Sequence, residues 1–508
     1  MAAHKYVLAI DAGSSSCRAL VFDVAGTPVS SAYRQWKYDS PPEVAPLGRE
    51  FNPAVFWDTV CQVSRQSIRE AGVRPSDIVA VSAASQRHGV VFLDKDGAEL
   101  YGGPNTDLRA LMEGFAIDAE HGGELRRITG HSPAFLFAPA KLRWFKANRP
   151  DVHDRIATIL TISNWILYRL SGRRVAEPSS DSDTGLMDIS NSCWSTDLQN
   201  TFDLVQGVCP EMAVAGTCIG SVSTKVAEQT GLMPGTPVVV GGADTQCGLL
   251  GMGVRDEAQV GIVAGWSAAI QMVTDEPIID RSGKIWSSCH ILPGKWVLES
   301  NAAEAGGAYA WLSQLLFEGA DSKEDTYSLM DRLAGEAPAG SGGALAYIGP
   351  RAMDMTRLKP LVGGVLFSIT PSVEEVDRKH IIRAALENLS FAFKANCRQL
   401  EETSHLKMKS VSIGGGLARS QALGQILADV LAMPVGYYGM AEVTSYGAAM
   451  CAAIGAGVYA DLGKAADAMS PSPKVVSPDK NGIQEYAKYY EKWLKAAKWL
   501  DSLGEEMV

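Results

Sequence analysis

Short apolar runs alternate along the chain with longer segments whose apolar residues recur at helical spacing. Val7 to Ile10 is a continuous apolar run and reads as a buried strand. A second run, Ala19 to Phe22, follows after a very short polar gap, so the two predict a β-hairpin. Ile78 to Ser85 and Pro237 to Gly242 read as further buried strands. Thr158 to Leu170 and Ile381 to Leu400 carry apolar residues at helical spacing. Strand-like and helix-like segments alternate throughout, which predicts an α/β architecture. A polar stretch at Gly253 to Gln259 separates two apolar runs and marks a domain boundary. The last amphipathic segment, Ile483 to Leu503, places Tyr486, Tyr489, Tyr490, Trp493 and Leu494 at helical spacing.

The turn between the first two strands holds the first candidate chemistry. Its sequence is Asp11, Ala12, Gly13, Ser14, Ser15, Ser16. Gly13 permits unusual dihedrals and close approach of a ligand to the backbone. The serines offer hydroxyls and unobstructed N–H groups, which suit phosphate oxygens. Asp11 suits a Mg2+ ion held through its water shell. The same turn reads equally as an ordinary polar hairpin. Gln259 to Ile270 repeats the pattern: a strand, then Gly265, Trp266 and Ser267, then a returning apolar segment. A third glycine cluster, Gly414, Gly415 and Gly416, joins a short strand to a helix bearing Leu423, Ile426 and Leu427. There a flat ring or a phosphate would lie against bare backbone beside the positive helix N-terminus. The spacing matches neither GxGxxG nor GxxxxGK[ST], which disfavours a dinucleotide fold and a P-loop.

Composition narrows the class. At 508 residues the chain is too long for one core and predicts two domains. A hydrophobic content of 46% and a charged content of 20% are those of a globular enzyme. The net charge of −11 argues against nucleic acid or an anionic membrane as partner. No apolar run reaches membrane-spanning length, and the N-terminus enters a strand with no cleavable signal pattern. The nine cysteines form no CxxC pair and read as reduced thiols of a cytoplasmic protein. The eight histidines form no HExxH.

With three glycine turns in this order, the sequence resembles the FGGY family of carbohydrate kinases, within the actin/hexokinase/Hsp70 ATPase superfamily. The resemblance covers nearly the whole chain: IDAGSSS at 10–16, SQRHG at 85–89, APAKLRWFKANRP at 138–150 and VVVGGADTQCGLLG at 238–251. It continues with CHILPGKW at 289–296, AGGAYAWL at 305–312, GGGLARS at 414–420 and EVTSYGAA at 442–449. It implies two duplicated RNase H-like domains with a cleft between them, the sugar mainly on the first and ATP mainly on the second. The corresponding boundaries are 1–254, 255–460 and a C-terminal helical extension, 461–508.

The resemblance also assigns roles. Asp244, in Gly241-Gly242-Ala243-Asp244, is the expected general base, with the glycines around it leaving room for substrate. Helix capping is its bland alternative. Asp11 is the expected metal residue. Gly13, Ser14 and Ser15 would contact the β- and γ-phosphates, and Gly265 and Ser267 the γ-phosphate. Trp266 stands where the family usually has Thr, so that hydroxyl is lost. Gly414, Gly415 and Gly416 would face the adenosine, with Ser420 and Gln421 as helpers or as plain exposed polar residues. Gln86, Arg87 and His88 would grip sugar hydroxyls, as would Asp107 and Arg109. Those two sit in an N-D-x-R-like segment with one residue inserted after Asn105. Gln246 is a further candidate and Glu299 a weaker one.

The implied activity is ATP- and Mg2+-dependent phosphorylation of a small sugar, first a ketopentose such as xylulose. The alternatives are an autoinducer-2 kinase acting on linear dihydroxypentanedione, or another polyol kinase. EPSSDSDTGLMD at 177–188 looks more like autoinducer-2 kinases. Two readings from other classes are a chaperone-type ATPase and a catalytically silent sugar sensor. Homodimer formation is compatible with all of these.

Overall fold

The computed structural model describes residues 5–317, 323–357, 365–367 and 376–506. The chain forms two compact units. One comprises Met1–Arg255, Thr274–Val297 and Val443–Pro471; the other comprises Asp256–Val273, Leu298–Glu442 and Ser472–Val508.

The first unit is built on a six-stranded sheet. Its order is Cys218–Ser221, Pro237–Ala243, Ile78–Ser85, Tyr6–Ala12, Ser16–Asp23, Pro28–Gln35. The last three form an antiparallel meander. Tyr6–Ala12, Ile78–Ser85 and Pro237–Ala243 run parallel. Both faces of these strands are apolar, so both must be covered. Leu8, Ile10 and Ala12 share one core with Trp57 and Val60 of the helix Pro53–Ala71 and with Trp165 and Ile166 of the helix Ile162–Ser171. Against the same three parallel strands packs the helix Val443–Gly455, which also lies along the helix Asp244–Gly251. That contact is very close: a methyl group at Gly447 would sit 2.1 Å from the Cys247 carbonyl oxygen.

The second unit repeats the plan. Its strands are ordered Trp296–Asn301, Ala268–Thr274, Gln259–Ala264, Ser410–Gly414, Val435–Tyr437, Lys474–Val476. Gln259–Ala264 pairs antiparallel with Ala268–Thr274 and parallel with Ser410–Gly414, which in turn runs parallel to Val435–Tyr437. This is the order and sense of the first unit's central strands, so the duplication expected from the sequence is present in the topology.

The expected hairpin, strands and long helix form where predicted, the helix spanning Arg378–Ser404. One segment differs. Thr158–Thr161 is a strand, and the helix starts only at Ile162. The β-branched Thr158, Ile159 and Thr161 pair with Val90–Leu93, and sheet pairing outweighs the helical spacing.

Candidate active site

Register builds this site. Ala12 lies opposite Ser85, and Ser85 lies opposite Ala243. Three parallel strands therefore end level, and the residues that follow each end share one edge of the sheet. Those residues are Gly13 to Ser15, Gln86 to His88, and Asp244, with Asp11 one step inside. In parallel sheets the carboxyl ends of the strands are where ligands bind.

Asp244 opens the helix Asp244–Gly251, and its Oδ1 accepts from Thr245 N at 2.8 Å. Its pKa is pushed up to about 7, first by burial; Arg87 pulls it down, while Asp11 and Asp183 push it further up. A carboxylate poised near neutrality is suited to accept a proton. The glycines before it do not leave room for substrate. A methyl group at Gly241 would sit 2.0 Å from the Ala83 carbonyl oxygen, and one at Gly242 would sit 2.7 Å from Ser179 Oγ. The chain itself fills that space and so fixes where Asp244 emerges.

Gln86 ties the edge together. Its Nε2 donates to the Gly13 carbonyl at 3.2 Å and to Tyr38 Oη at 2.8 Å, and its Oε1 accepts from Asn105 N at 3.1 Å. Asn105 Nδ2 donates to Ser14 Oγ at 2.8 Å. These bonds hold the first turn in place, and they occupy both amide protons of Gln86. Asn105 Oδ1 is buried without a hydrogen-bond partner.

Arg87 Nη1 lies 3.5 Å from Asp183 Oδ2. His88 adopts φ 62°, a left-handed conformation that a residue with a side chain rarely takes. Its Nε2 is buried without a hydrogen-bond partner, and burial drives its pKa down to about 3. The imidazole is therefore neutral near pH 7. Gln246 is wholly buried; its Oε1 accepts from Thr245 Oγ1 at 2.5 Å, and its Nε2 has no hydrogen-bond partner.

Asp107 and Arg109 stand apart from these open groups. Asp107 Oδ1 accepts from Arg49 N at 2.8 Å, and its Oδ2 accepts from Tyr101 Oη and from Arg109 Nε, the latter at 2.9 Å. Arg109 Nη2 reaches Glu50 Oε2 at 2.9 Å, and its guanidinium lies over the rings of Tyr101 and Trp144. Both residues are consumed in a buried lattice that anchors the Arg49–Glu50 segment.

The second unit carries the other turns. Gly265, Trp266 and Ser267 are all exposed, with Trp266 at 62%. Gly307 N donates to the Trp266 carbonyl at 3.0 Å, and the indole packs over Gly307. Of the three glycines at 414–416, Gly414 and Gly415 are buried and Gly416 is exposed. Gly415 has φ 102° and presses on Ala264, where a methyl group would meet the carbonyl oxygen at 2.6 Å. The N-terminus of the helix Gln421–Leu431 is already occupied. Asp331 accepts from Gln421 N and Ala422 N, each at 3.1 Å, and from Ser420 Oγ at 2.5 Å. That end offers a phosphate no free positive pole, although a flat ring could still lie on Gly416.

In these turns Gly13, Gly265 and Gly416 have an open side. A methyl group would meet nothing closer than 3.7 Å at Gly13 or Gly265, and nothing within 4 Å at Gly416. Internal packing does not require glycine there, and each leaves bare backbone that phosphate or ring atoms can approach. Mg2+ fits the neighbouring carboxylate chemistry, since it takes one or two carboxylates and keeps several waters. Among the described residues no cluster of His, Cys, Asp and Glu could hold a metal by itself, and no helix is long and apolar enough to cross a membrane.

Two family models match most of the chain. Residues 6–251 match the N-terminal domain of the FGGY family of carbohydrate kinases, and residues 260–456 match its C-terminal domain. The chain belongs to the FGGY family. This FGGY kinase is 31% identical over 512 residues to the autoinducer-2 kinase of Escherichia coli K12, covering 98% of this chain and 95% of that protein. It is 30% identical over 503 residues to the autoinducer-2 kinase of Salmonella paratyphi B, covering 96% and 93%. The structure of xylulose kinase from Rhodospirillum rubrum superposes with a TM-score of 0.83 at 26% identity, covering 99% of this chain and 100% of that one. Glycerol kinase from Plasmodium falciparum shares the fold, with a TM-score of 0.80 at 19% identity, covering 98% of both chains.

Sequence reasoning missed Asp183, His131 and Ser288, which surround Arg87 and His88. They come from distant parts of the chain, and no spacing links them. Only the family-like segment around Asp183 hinted at a role.

Proposed function

We propose that this kinase transfers the γ-phosphate of ATP to a hydroxyl of a small, neutral polyhydroxy compound. The level ending of three parallel strands carries this reading, because it puts Asp244, Asp11 and the Arg87–His88 pair on one edge. Asp244 orients the acceptor hydroxyl and takes its proton, as phosphoryl transfer requires. Asp11 would hold Mg2+, which would neutralise charge on the phosphates. Gly13, Ser14 and Ser15 present backbone and hydroxyl donors to phosphate oxygens, as do Gly265 and Ser267. Gly416, backed by the buried Gly414 and Gly415, presents its face to the adenosine. Arg87, His88 and Gln246 hold the acceptor. Gln86, Asp107 and Arg109 support that pocket by fixing the segments around it.

Two acceptors compete. A ketopentose such as xylulose is supported by the xylulose kinase structure at 26% identity. The linear autoinducer-2 precursor is supported by full-length relatives at 31% identity. A coupled ADP-release assay over ketoses, polyols, glycerol and linear dihydroxypentanedione decides between them by kcat/KM. Equal ADP release with and without every acceptor would overturn the kinase reading and favour a chaperone-type or sensor ATPase.

A further inference from the structure

Asp183 lies on the short turn Ser182–Thr184, beside the strand end that carries Arg87 and His88. Its side chain is fully buried. One oxygen is held from three directions: Oδ1 lies 2.7 Å from His131 Nε2, 3.4 Å from Ser288 Oγ and 3.8 Å from His88 Nε2. His131 is fixed from behind, with Nδ1 2.6 Å from the Thr129 carbonyl oxygen. The ring is also boxed by Phe137 and Trp286, whose centroids lie 5.4 and 5.6 Å away. The same two aromatics flank His88 at 5.7 and 5.2 Å.

The other oxygen is different. Asp183 Oδ2 is buried and has no hydrogen-bond partner; Arg87 Nη1, at 3.5 Å, is its charge neighbour. His88 Nε2 and Gln246 Nε2 are also buried without hydrogen-bond partners. Buried polar atoms are rarely left unpaired, and two of them on neighbouring side chains, Asp183 and His88, point to a ligand that completes them. Arg87 and His131 hold the Asp183 carboxyl well below the usual range despite its burial, so it stays ionised and can only accept. Its partner must therefore bring a proton.

We propose that Asp183 is a substrate-binding residue of this kinase: Oδ2 accepts the proton of one acceptor hydroxyl, and the fixed carboxylate excludes substrates that carry a carboxylate at that place. The inference rests on the kinase reading above and narrows its acceptor to neutral polyols and ketoses rather than sugar acids. Around Asp244 the carboxylates of Asp11 and Asp183 stand with the guanidinium of Arg87. A further negative charge there would meet the repulsion of those carboxylates.

The test compares wild type with Asp183→Asn on the best acceptor, on its monodeoxy analogues and on the matching aldonate. Ratios of kcat/KM between acceptors are taken on one preparation, so a partly unfolded fraction cancels. Wild type should use the neutral acceptor and ignore the aldonate. Asp183→Asn should lose roughly ten- to a hundredfold in kcat/KM on the parent, as for a bond to a charged group. On one deoxy analogue, the one lacking the paired hydroxyl, the loss should nearly vanish, while the KM for ATP stays near wild type. Ser288→Ala, which loosens Oδ1 but keeps the charge, should narrow the ratio for that same analogue and covers the case where Asp183→Asn does not fold. An equal loss on every analogue would make Asp183 merely structural and overturn the proposal. Wild-type turnover of the aldonate as fast as of the neutral sugar would overturn it too. If wild type phosphorylates none of these acceptors, the kinase reading itself falls and the proposal falls with it.

Discussion

The two units share one strand plan and differ in what they place at the strand ends. In the first, the ends carry Asp11, Arg87, His88 and Asp244, with His88 Nε2 buried and without a hydrogen-bond partner. In the second, the corresponding ends carry Gly265 and the glycines at 414–416, and the N-terminus of the helix Gln421–Leu431 is filled by Asp331. One copy of the fold has kept charge and strain; the other offers bare backbone. A duplicated sheet thus supplies two surfaces of opposite chemistry, reactive groups on one and a passive cradle on the other.

The sharpest way to break this comparison is to disarm the first copy. Asp244→Asn keeps shape but cannot accept the proton, and kcat should fall by about 10²–10⁴-fold with ATP binding nearly unchanged. A variant keeping more than about a tenth of wild-type kcat, where chemistry is rate-limiting, would remove Asp244 from the base role. Wild-type kcat/KM should rise with pH and level off above about 7, the value to which burial pushes Asp244. Stability should run the other way. The folded carboxyl holds its proton up to about pH 7, whereas an unfolded Asp releases it near pH 4. Its contribution is therefore lost as pH rises through that window. Asp244→Asn should accordingly melt higher than wild type at pH 8, with the gap closing towards pH 4; a constant gap across that range would contradict the raised value.

Asp11→Ala comes next. Turnover should drop at least about tenfold at low Mg2+ and recover partly as Mg2+ rises, because the carboxylate would hold the metal. Calorimetry should show acceptor binding close to wild type, and normal turnover at low Mg2+ would exclude the assignment. Smaller still is His88→Ala. Losing one buried partner costs about 1–3 kcal/mol, so the acceptor KM should rise roughly ten- to a hundredfold while the KM for ATP holds. A lower Tm with both KM values unchanged would instead make His88 a packing residue.

The smallest effects should come from the second copy, and they separate its two kinds of glycine. Gly415→Ala forces a side chain into φ 102° against Ala264, so it should lower Tm, by about 1–3 kcal/mol of stability for the strained backbone alone. Gly416→Ala meets nothing in the protein, so Tm should hold and only the KM for ATP should rise, by a few-fold. If both variants behave alike, the division between a structural and a ligand-facing glycine fails.

Local signals carried the fold further than the site. The strands were legible because both of their faces are buried, which leaves continuous apolar runs such as Val7 to Ile10. The glycine turns were legible because few other residues leave backbone bare. Thr158 to Thr161 misled because four apolar or β-branched residues before a helix fit either period, and only the pairing partner decides. At the site, the strand-end positions of Asp244 and the Arg87–His88 pair were legible because continuous apolar runs precede them. Asp107 and Arg109 looked like open polar groups, yet the lattice that consumes them draws on Glu50, Tyr101 and Trp144, which sequence does not place nearby. Asp331 reaches Gln421 from a distant helix for the same reason.

The helix Val443–Gly455 has a consequence for how the protein is made. It covers the parallel strands of the first unit, yet it is synthesised after nearly all of the second. A nascent chain that has emerged only to Arg255 lacks that cover, and one apolar face of its sheet stays wet. Contacts so distant in sequence form slowly, since the loop that closes them is long. The growing chain must carry an unfinished sheet until the ribosome delivers residues 443–455. This is the window in which the first unit is most exposed to aggregation and most dependent on holding chaperones.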